Sequence, residues 1–395
     1  MKLSEYFAFI SYKRLSAVET DTEISHQHEF NGIGSLKEMF GTSKKEFTAK
    51  LAYLGEDLDE PLVADVEMTW YDAREKHLTR TEYRLYYKQS EVNKYMQEGD
   101  LMVVGLRPDG KIYFFIAQKD STYANQLVLL FDLESDIGTT AKSKMIAGTK
   151  NDVENVDFVR SFILEELGIE VKGTDENYLE ALLQKFPSGF PNTNEFSEFA
   201  RSTIPGIDSK IDPDGALMKW MEREELLFRT LEKHLVSEKI KNIGTDVDLF
   251  MKLSLSIQNR RKARVGFALE NHLERIFLDC EVQYSRGKET ENNSKPDFVF
   301  PSIENYRDAK FPDEKLFMLG SKSTCKDRWR QVLAEAARIK NKHLLTLEPG
   351  ISVNQTSEMM ANNLNLVIPR ELFGTYTNDQ QKWLLSLKDF IALLD

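Results

Sequence analysis

Asp297, Lys322 and Glu335 are residues whose types and order in this 395-residue sequence fit a hydrolytic centre. Asp297 stands where a polar run, ETENNSKP, gives way to the apolar DFVF. Lys322 follows a second apolar run, LFML at 316–319, at a point where adjacent strands would bring both side chains to one sheet edge. Glu335 comes later, in a stretch of helical period. Carboxylate oxygens hold Mg²⁺, a hard cation that polarises a phosphoryl oxygen and lowers the pKa of an attacking water. A lysine beside them stabilises charge developing on the phosphate or orients that water. Taken alone the trio bears two readings, a phosphodiesterase centre or solvated surface charge.

The surrounding pattern says what could position them. The second half alternates: a helix carrying Phe267, Leu269, Leu273, Ile276 and Phe277, a strand near Val282, strands at 297–300 and 316–319, a helix from about Lys326 to Lys340, strands at 343–347 and 364–368, and a last helix ending FIALL. That order predicts a mixed α/β layer arrangement. On the helix after Lys322, the spacing puts Arg328, Gln331, Glu335 and Arg338 on one face and Trp329, Val332, Leu333, Ala336 and Ile339 on the buried one. Glu335 is therefore expected to be presented on a polar face.

The first half reads as β structure. Short runs rich in β-branched and aromatic residues at 6–15, 46–54, 63–71, 82–88, 101–106, 111–118 and 126–133 predict strands, with Arg107-Pro108-Asp109-Gly110 as a turn. Strands without long intervening helices favour a barrel or sandwich. Helical spacing at Val156, Val159, Ile163 and Leu167, then a segment with Pro187, Gly189, Pro191, Pro205 and Pro213, set a boundary near 170. The predicted domains are 1–170 and 171–395, giving a multidomain α+β chain.

A hydrophobic content of 41% suffices for a core in each domain, and no 18 apolar residues run together, so a cytoplasmic protein is expected. Only Cys280 and Cys325 are present, without CxxC spacing, which predicts reduced, buried thiols and no structural zinc. The net charge of −12 argues against a surface that coats polyanions throughout, yet basic residues cluster at 260–264 and 322–330. Arg260 and Arg261 are expected at a helix start facing phosphate or solvent. Glu270 and Glu274, one turn apart, could support a second metal, although a solvated face fits them as well.

The order helix, strand, Asp strand, Lys strand, helix is similar to the PD-(D/E)xK nuclease core, with Pro296-Asp297 as the PD pair. The acidic residue expected two before the lysine is replaced by Gly320, and Glu335 is placed to supply the carboxylate from downstream. KPDFVFP, NYRDAKF, MLGSKSTCKDRWRQVLAEAARI and HLLTLEPGIS, together with the earlier NRRKARVG and LENHLERIF, resemble the catalytic domain of EcoRII-type restriction endonucleases. The resemblance implies a metal-binding Asp297 and Glu335, a catalytic Lys322 and an active-site Tyr306. It further implies that Lys326, Asp327 and Arg328 read consecutive C:G pairs. Arg and Lys donate to guanine O6 and N7, and Asp accepts from cytosine N4 in the major groove. Trp220 and Arg223 are candidates, by position alone, for contacts to a flipped base.

In the first domain, YFAFISYKRLSAVETDTEISHQ and TWYDAREKHLTRTEYRL resemble the effector-binding domain of the same family, a DNA-binding pseudobarrel similar to plant B-three domains. Period two predicts Arg80, Glu82 and Arg84 on one sheet face, with Lys13, Arg14 and His26 as further contacts. Leu78 and Tyr83 stand where the family carries basic residues. The whole implies a homodimeric, Mg²⁺-dependent type II enzyme that cuts double-stranded DNA at a short CC…GG site, such as CCWGG, with a second copy of the site bound as effector. Two other readings remain, a non-cleaving DNA-binding regulator and a structure-selective repair nuclease on the same core. Mg²⁺-dependent nicking separates the first, and sequence-independent cutting would favour the second.

Overall fold

Central strands of the first half place successive side chains in two different cores, which is why their sequences read as nearly continuous apolar runs. The computed structural model describes residues 2–20, 28–31, 33–58, 60–77, 79–134, 136–146, 158–171, 175–243 and 247–394. They divide into two compact units, Met1–Val171 with Gly350–Asn354, and Lys172–Pro349 with Gln355–Asp395.

The first unit holds β1 (Phe9–Arg14), β2 (Glu29–Phe30), β3 (Lys45–Leu54), β4 (Leu62–Asp72), β5 (Tyr83–Tyr87), β6 (Leu101–Leu106), β7 (Ile112–Ala117) and β8 (Lys142–Met145). They form one sheet in the order β2-β5-β4-β3-β7-β6-β1-β8. The β3–β7 pair is parallel and the other pairs are antiparallel. Leu54, Val103 and Phe115 enter one core, and Leu51, Val104 and Phe114 enter the other. The turn between β6 and β7 closes with Gly110 N–H on Arg107 O at 3.0 Å, and its φ of +84° is one that glycine adopts without strain.

One predicted strand is a helix. Residues 126–133 lie largely within Thr122–Phe131, where Ser121 caps the first turn by accepting from Ala124 N–H, and Tyr123, Ala124, Leu127, Leu130 and Phe131 are buried. A short apolar run carries no period of its own, and here the cap and the packed face decide.

The second unit holds β9 (Ser285–Arg286), β10 (Phe298–Phe300), β11 (Phe317–Lys322), β12 (Lys342–Thr346) and β13 (Leu364–Val367), in the order β13-β12-β11-β10-β9. β11, β12 and β13 are parallel, while β10 runs antiparallel to both neighbours. The helix Val247–Asp279 covers this sheet through Phe277, whose ring meets Phe298 and Phe300 edge-on at 5.2 Å. Leu269, Leu273 and Ile276 are buried beside it, whereas Phe267 points to solvent. Cys325 is buried as expected, Cys280 only half so, and both are free thiols. Among the described residues no helix is long and apolar enough to cross a membrane.

Candidate active site

The antiparallel register of β10 and β11 pairs Phe298 with Leu319, so the residue before β10 falls beside the last residues of β11. Asp297 Oδ2 accepts from Ser321 N–H at 2.6 Å, from Ser321 Oγ–H at 3.2 Å and from Lys322 Nζ at 3.1 Å. Both charged side chains are half-buried, so the pair is partly shielded from water, where a charge-assisted bond is stronger. The two strands thus bring together the aspartate and the lysine.

Glu335 is reached differently from the expected helix face. The residues after β11 form a 3₁₀ turn, Lys326–Arg328, and a single short helix, Trp329–Leu333. Ala334 N–H and Glu335 N–H close back on Gln331 O and Val332 O in tight turns, and Ala336 has φ +47°, so the helix has ended before Glu335. Arg328, Gln331, Glu335 and Arg338 therefore do not line one helix face. Trp329, Val332, Ala336 and Ile339 are nonetheless buried, and Leu333 is half-buried.

The Glu335 carboxyl is pushed up to about 7 by burial, which outweighs the opposing pull of Lys322; Asp297 adds to the rise. Its Oε2 is buried with no hydrogen-bond partner among the described residues. Glu270, on the helix Val247–Asp279, is also raised, first by burial and then by Asp297. Glu270 and Glu274 do not form a solvated face: both are half-buried and bound to Arg286 of β9, at 3.0 and 2.6 Å.

Gly320, in place of the E-x-K carboxylate, faces the packed Val332. A Cβ built there would lie 3.0 Å from Val332 Cγ2 and 3.2 Å from Cγ1, so a side chain at 320 would require Val332 to give by a few tenths of an ångström. Among the described residues no three His, Cys, Asp or Glu side chains gather around one point. A divalent cation would thus draw two carboxylates from this trio, with water and phosphate oxygens completing its shell, as suits Mg²⁺. The orphaned Oε2 of Glu335 fits that donor set.

Tyr306 sits on the helix Ile303–Arg307 with its ring buried. Its hydroxyl donates to Glu291 Oε2 at 2.5 Å and accepts from Arg338 N–H at 3.2 Å. Burial, and then Glu291, raise its pKa far above the ordinary tyrosine value. One of these contacts, Arg338, lies on the segment that carries Glu335.

The 3₁₀ turn Lys326–Arg328 is held from below. Cys325 N–H donates to the buried Glu348 carboxylate, Thr346 Oγ–H donates to Ser323 O at 3.3 Å, and Arg328 N–H closes on Cys325 O at 2.7 Å. Lys326 is half-buried and Arg328 exposed. Arg260 and Arg261 do not open a helix. They lie inside the 33-residue helix Val247–Asp279, Arg260 over the Phe190 ring at 4.9 Å and Arg261 bound to Glu232 at 2.6 Å. Trp220 is buried, and Arg223 is bound to Asp175 at 2.9 Å and stacked on Tyr178.

In the first unit Lys13 differs from expectation. β1 turns it inward, where it is 1% exposed and donates to Glu19 at 2.7 Å and to Asn31 O at 2.6 Å, so its ammonium is not offered at the surface. Arg14 donates to Gly99 O at 2.8 Å. Of the three residues expected along one strand, only Arg84 lies in β5; Glu82 and the exposed Arg80 precede it. Asp72 Oδ1 accepts both Arg74 N–H and Glu82 N–H, which pins the β4–β5 connection and delays the strand. Arg84 is bound to Glu82 at 2.7 Å and to Glu29 at 2.9 Å, and Glu82 is also bound to Arg74. His26 and Leu78 lie outside the described residues.

Residues 228–391 match the family described as EcoRII C terminal. The Type II restriction enzyme EcoRII of Escherichia coli is 37% identical over 228 residues, 58% of this chain and 56% of that enzyme. The chain thus spans about half the length of this relative. Among solved structures, metal-depleted Ecl18kI in complex with uncleaved, modified DNA is 18% identical with a TM-score of 0.44, over 56% of this chain and 84% of the other. The PspGI–substrate DNA complex is 18% identical with a TM-score of 0.43, over 52% and 93%.

Proposed function

We propose, from the match of residues 228–391 to the family described as EcoRII C terminal, that the chain is a type II site-specific deoxyribonuclease of a restriction-modification system. The observation that carries this reading is the Asp297–Lys322 pair at the ends of β10 and β11, beside the half-buried Glu335 with its buried, unpartnered oxygen. Mg²⁺ held by Asp297 and Glu335 would supply Lewis-acid activation. Lys322 turns from Asp297 to a non-bridging oxygen of the scissile phosphate and stabilises its charge as water attacks phosphorus and the 3′ oxygen leaves. The products carry a 5′-phosphate and a 3′-hydroxyl. Tyr306, on the helix Ile303–Arg307, supports the same site through Arg338 of the loop that holds Glu335.

Sequence reading falls to the turn after β11, where Lys326 and Arg328 donate to guanine and Asp327 accepts from cytosine, on a site beginning CC and ending GG such as CCWGG. Two copies of the chain, as a homodimer in the cytoplasm, would read the two halves of such a site. Arg260 and Arg261 can add phosphate contacts only by leaving Phe190 and Glu232. The first domain, 1–170, is read as the B-three-like effector module. Its two-faced sheet suits that reading, with the exposed Arg80, the bonded pair Glu82 and Arg84, Arg14 and His26 as the DNA surface.

Digestion of a plasmid of known sequence in Mg²⁺, with sequencing of the fragment ends, tests the reading. Cuts confined to CC…GG sites are expected. Uniform cutting would favour a structure-selective nuclease, and absence of nicking a non-cleaving regulator. Removal of residues 1–170 is expected to give an enzyme that cleaves single-site DNA faster than the full chain. An unchanged need for two sites would sink the effector model.

A further inference from the structure

The segment between the helix Trp329–Leu333 and β12 is irregular, yet it carries the carboxylate whose Oε2 has no hydrogen-bond partner among the described residues. Something must hold it. Lys342, the first residue of β12, is 7% exposed, and its backbone is fixed by N–H donation to Asn363 O at 3.0 Å. Its Nζ donates to the carbonyl oxygens of Glu335, of Ala336 at 3.0 Å and of Ile339 at 2.9 Å. An ammonium has three protons and no acceptor, so these carbonyls use its whole donor capacity. These carbonyls lie beyond the end of the helix Trp329–Leu333, where no helix continues to bond them, and they are gathered on one charge. Ala336, with φ +47°, is the point at which the chain folds around it.

We infer that Lys342 is a positioning residue for the Glu335 carboxylate: it fixes the backbone of residue 335 by taking the carbonyls on either side of the bend. The inference rests on the nuclease reading of the trio above. Lys342 is too buried, and its protons too fully engaged, to touch phosphate. A purely structural buried lysine would lower stability when lost but leave the cation affinity of the folded molecules unchanged.

The test uses the full-length protein and Mn²⁺ as probe, with free ion followed by electron paramagnetic resonance. Lys342→Met is expected to weaken Mn²⁺ binding tenfold or more, while far-UV circular dichroism and a cooperative melt show a folded chain. In a Glu335→Gln background, the same change is expected to cost less than twofold, because Lys342 acts through Glu335. Wild-type Mn²⁺ affinity in folded Lys342→Met, or a tenfold loss persisting without Glu335, overturns the inference. If Lys342→Met does not fold, Lys342→Gln, which can keep part of the donor set, is read in the same way with at least threefold weakening expected. Cleavage by Lys322→Ala is scored in parallel. Full activity there would remove the assignment of Lys322, and no Mg²⁺-dependent cleavage by the unsubstituted protein would remove the nuclease reading, while the Mn²⁺ titrations would still decide the role of Lys342.

Discussion

Lys322→Ala should cut Mg²⁺-dependent cleavage by about 10³-fold or more, the scale expected when a group aimed at developing charge is removed. Binding of a CCWGG duplex should stay within a few-fold of wild type. The two outcomes separate because Lys322 ends β11 with its ammonium on Asp297, away from the turn proposed to read bases. Asp297 keeps the Ser321 backbone and hydroxyl donors, so its carboxylate is not left buried without a partner. The side chain is only half-buried, so the fold should survive with a modest drop in melting temperature. Single-turnover cleavage and gel-shift binding in Ca²⁺ measure the two quantities. Wild-type cleavage would sink the assignment of Lys322. Lost binding with a normal melt would move it from the chemistry to recognition.

What the sequence made legible follows from how local each signal is. Asp297 and Lys322 were placed by the ends of two apolar runs, and strand pairing needs little more than those ends and a shared edge. Glu335 was found by residue type, but its setting was not. Helical spacing through 340 reads as one helix, whereas the carbonyls of 335, 336 and 339 turn to the Lys342 ammonium, a contact no periodicity reveals. Gly320 is visible as a departure from E-x-K, and only the position of Val332 shows that a larger residue would be crowded there. Lys13 and the Arg260–Arg261 run failed for a shared reason. A basic residue signals an open surface only when no carboxylate or ring reaches it, and here Glu19, Glu232 and Phe190 do. The strand expected at 126–133 failed because a short apolar run suits either period until its cap is seen.

Glu335→Gln should stabilise the metal-free protein at pH 8 and do nothing at pH 4.5. Burial raises the folded-state pKa of Glu335 to about 7 from an ordinary 4.5, so the folded chain binds this proton more tightly than the unfolded chain does. Its contribution to stability is fully present below 4.5 and is lost as pH rises through 7. Above that, wild type holds a desolvated carboxylate against Asp297, while glutamine stays neutral. The shift corresponds to at most about 3 kcal/mol, which partial exposure and relaxation reduce to about 2 kcal/mol. Urea unfolding in EDTA at pH 4.5, 6 and 8 reads the difference directly. A constant difference across that range would mean that Glu335 does not titrate between those values and that its buried oxygen has a partner in solution. Millimolar Mg²⁺ at pH 8 should then reverse the order. A cation bound by ionised Glu335 and Asp297 stabilises only the folded wild type, and glutamine supplies no charge to hold it. Cleavage by Glu335→Gln should be lost under the same conditions, so the substitution that strengthens the empty site is the one that disables the enzyme.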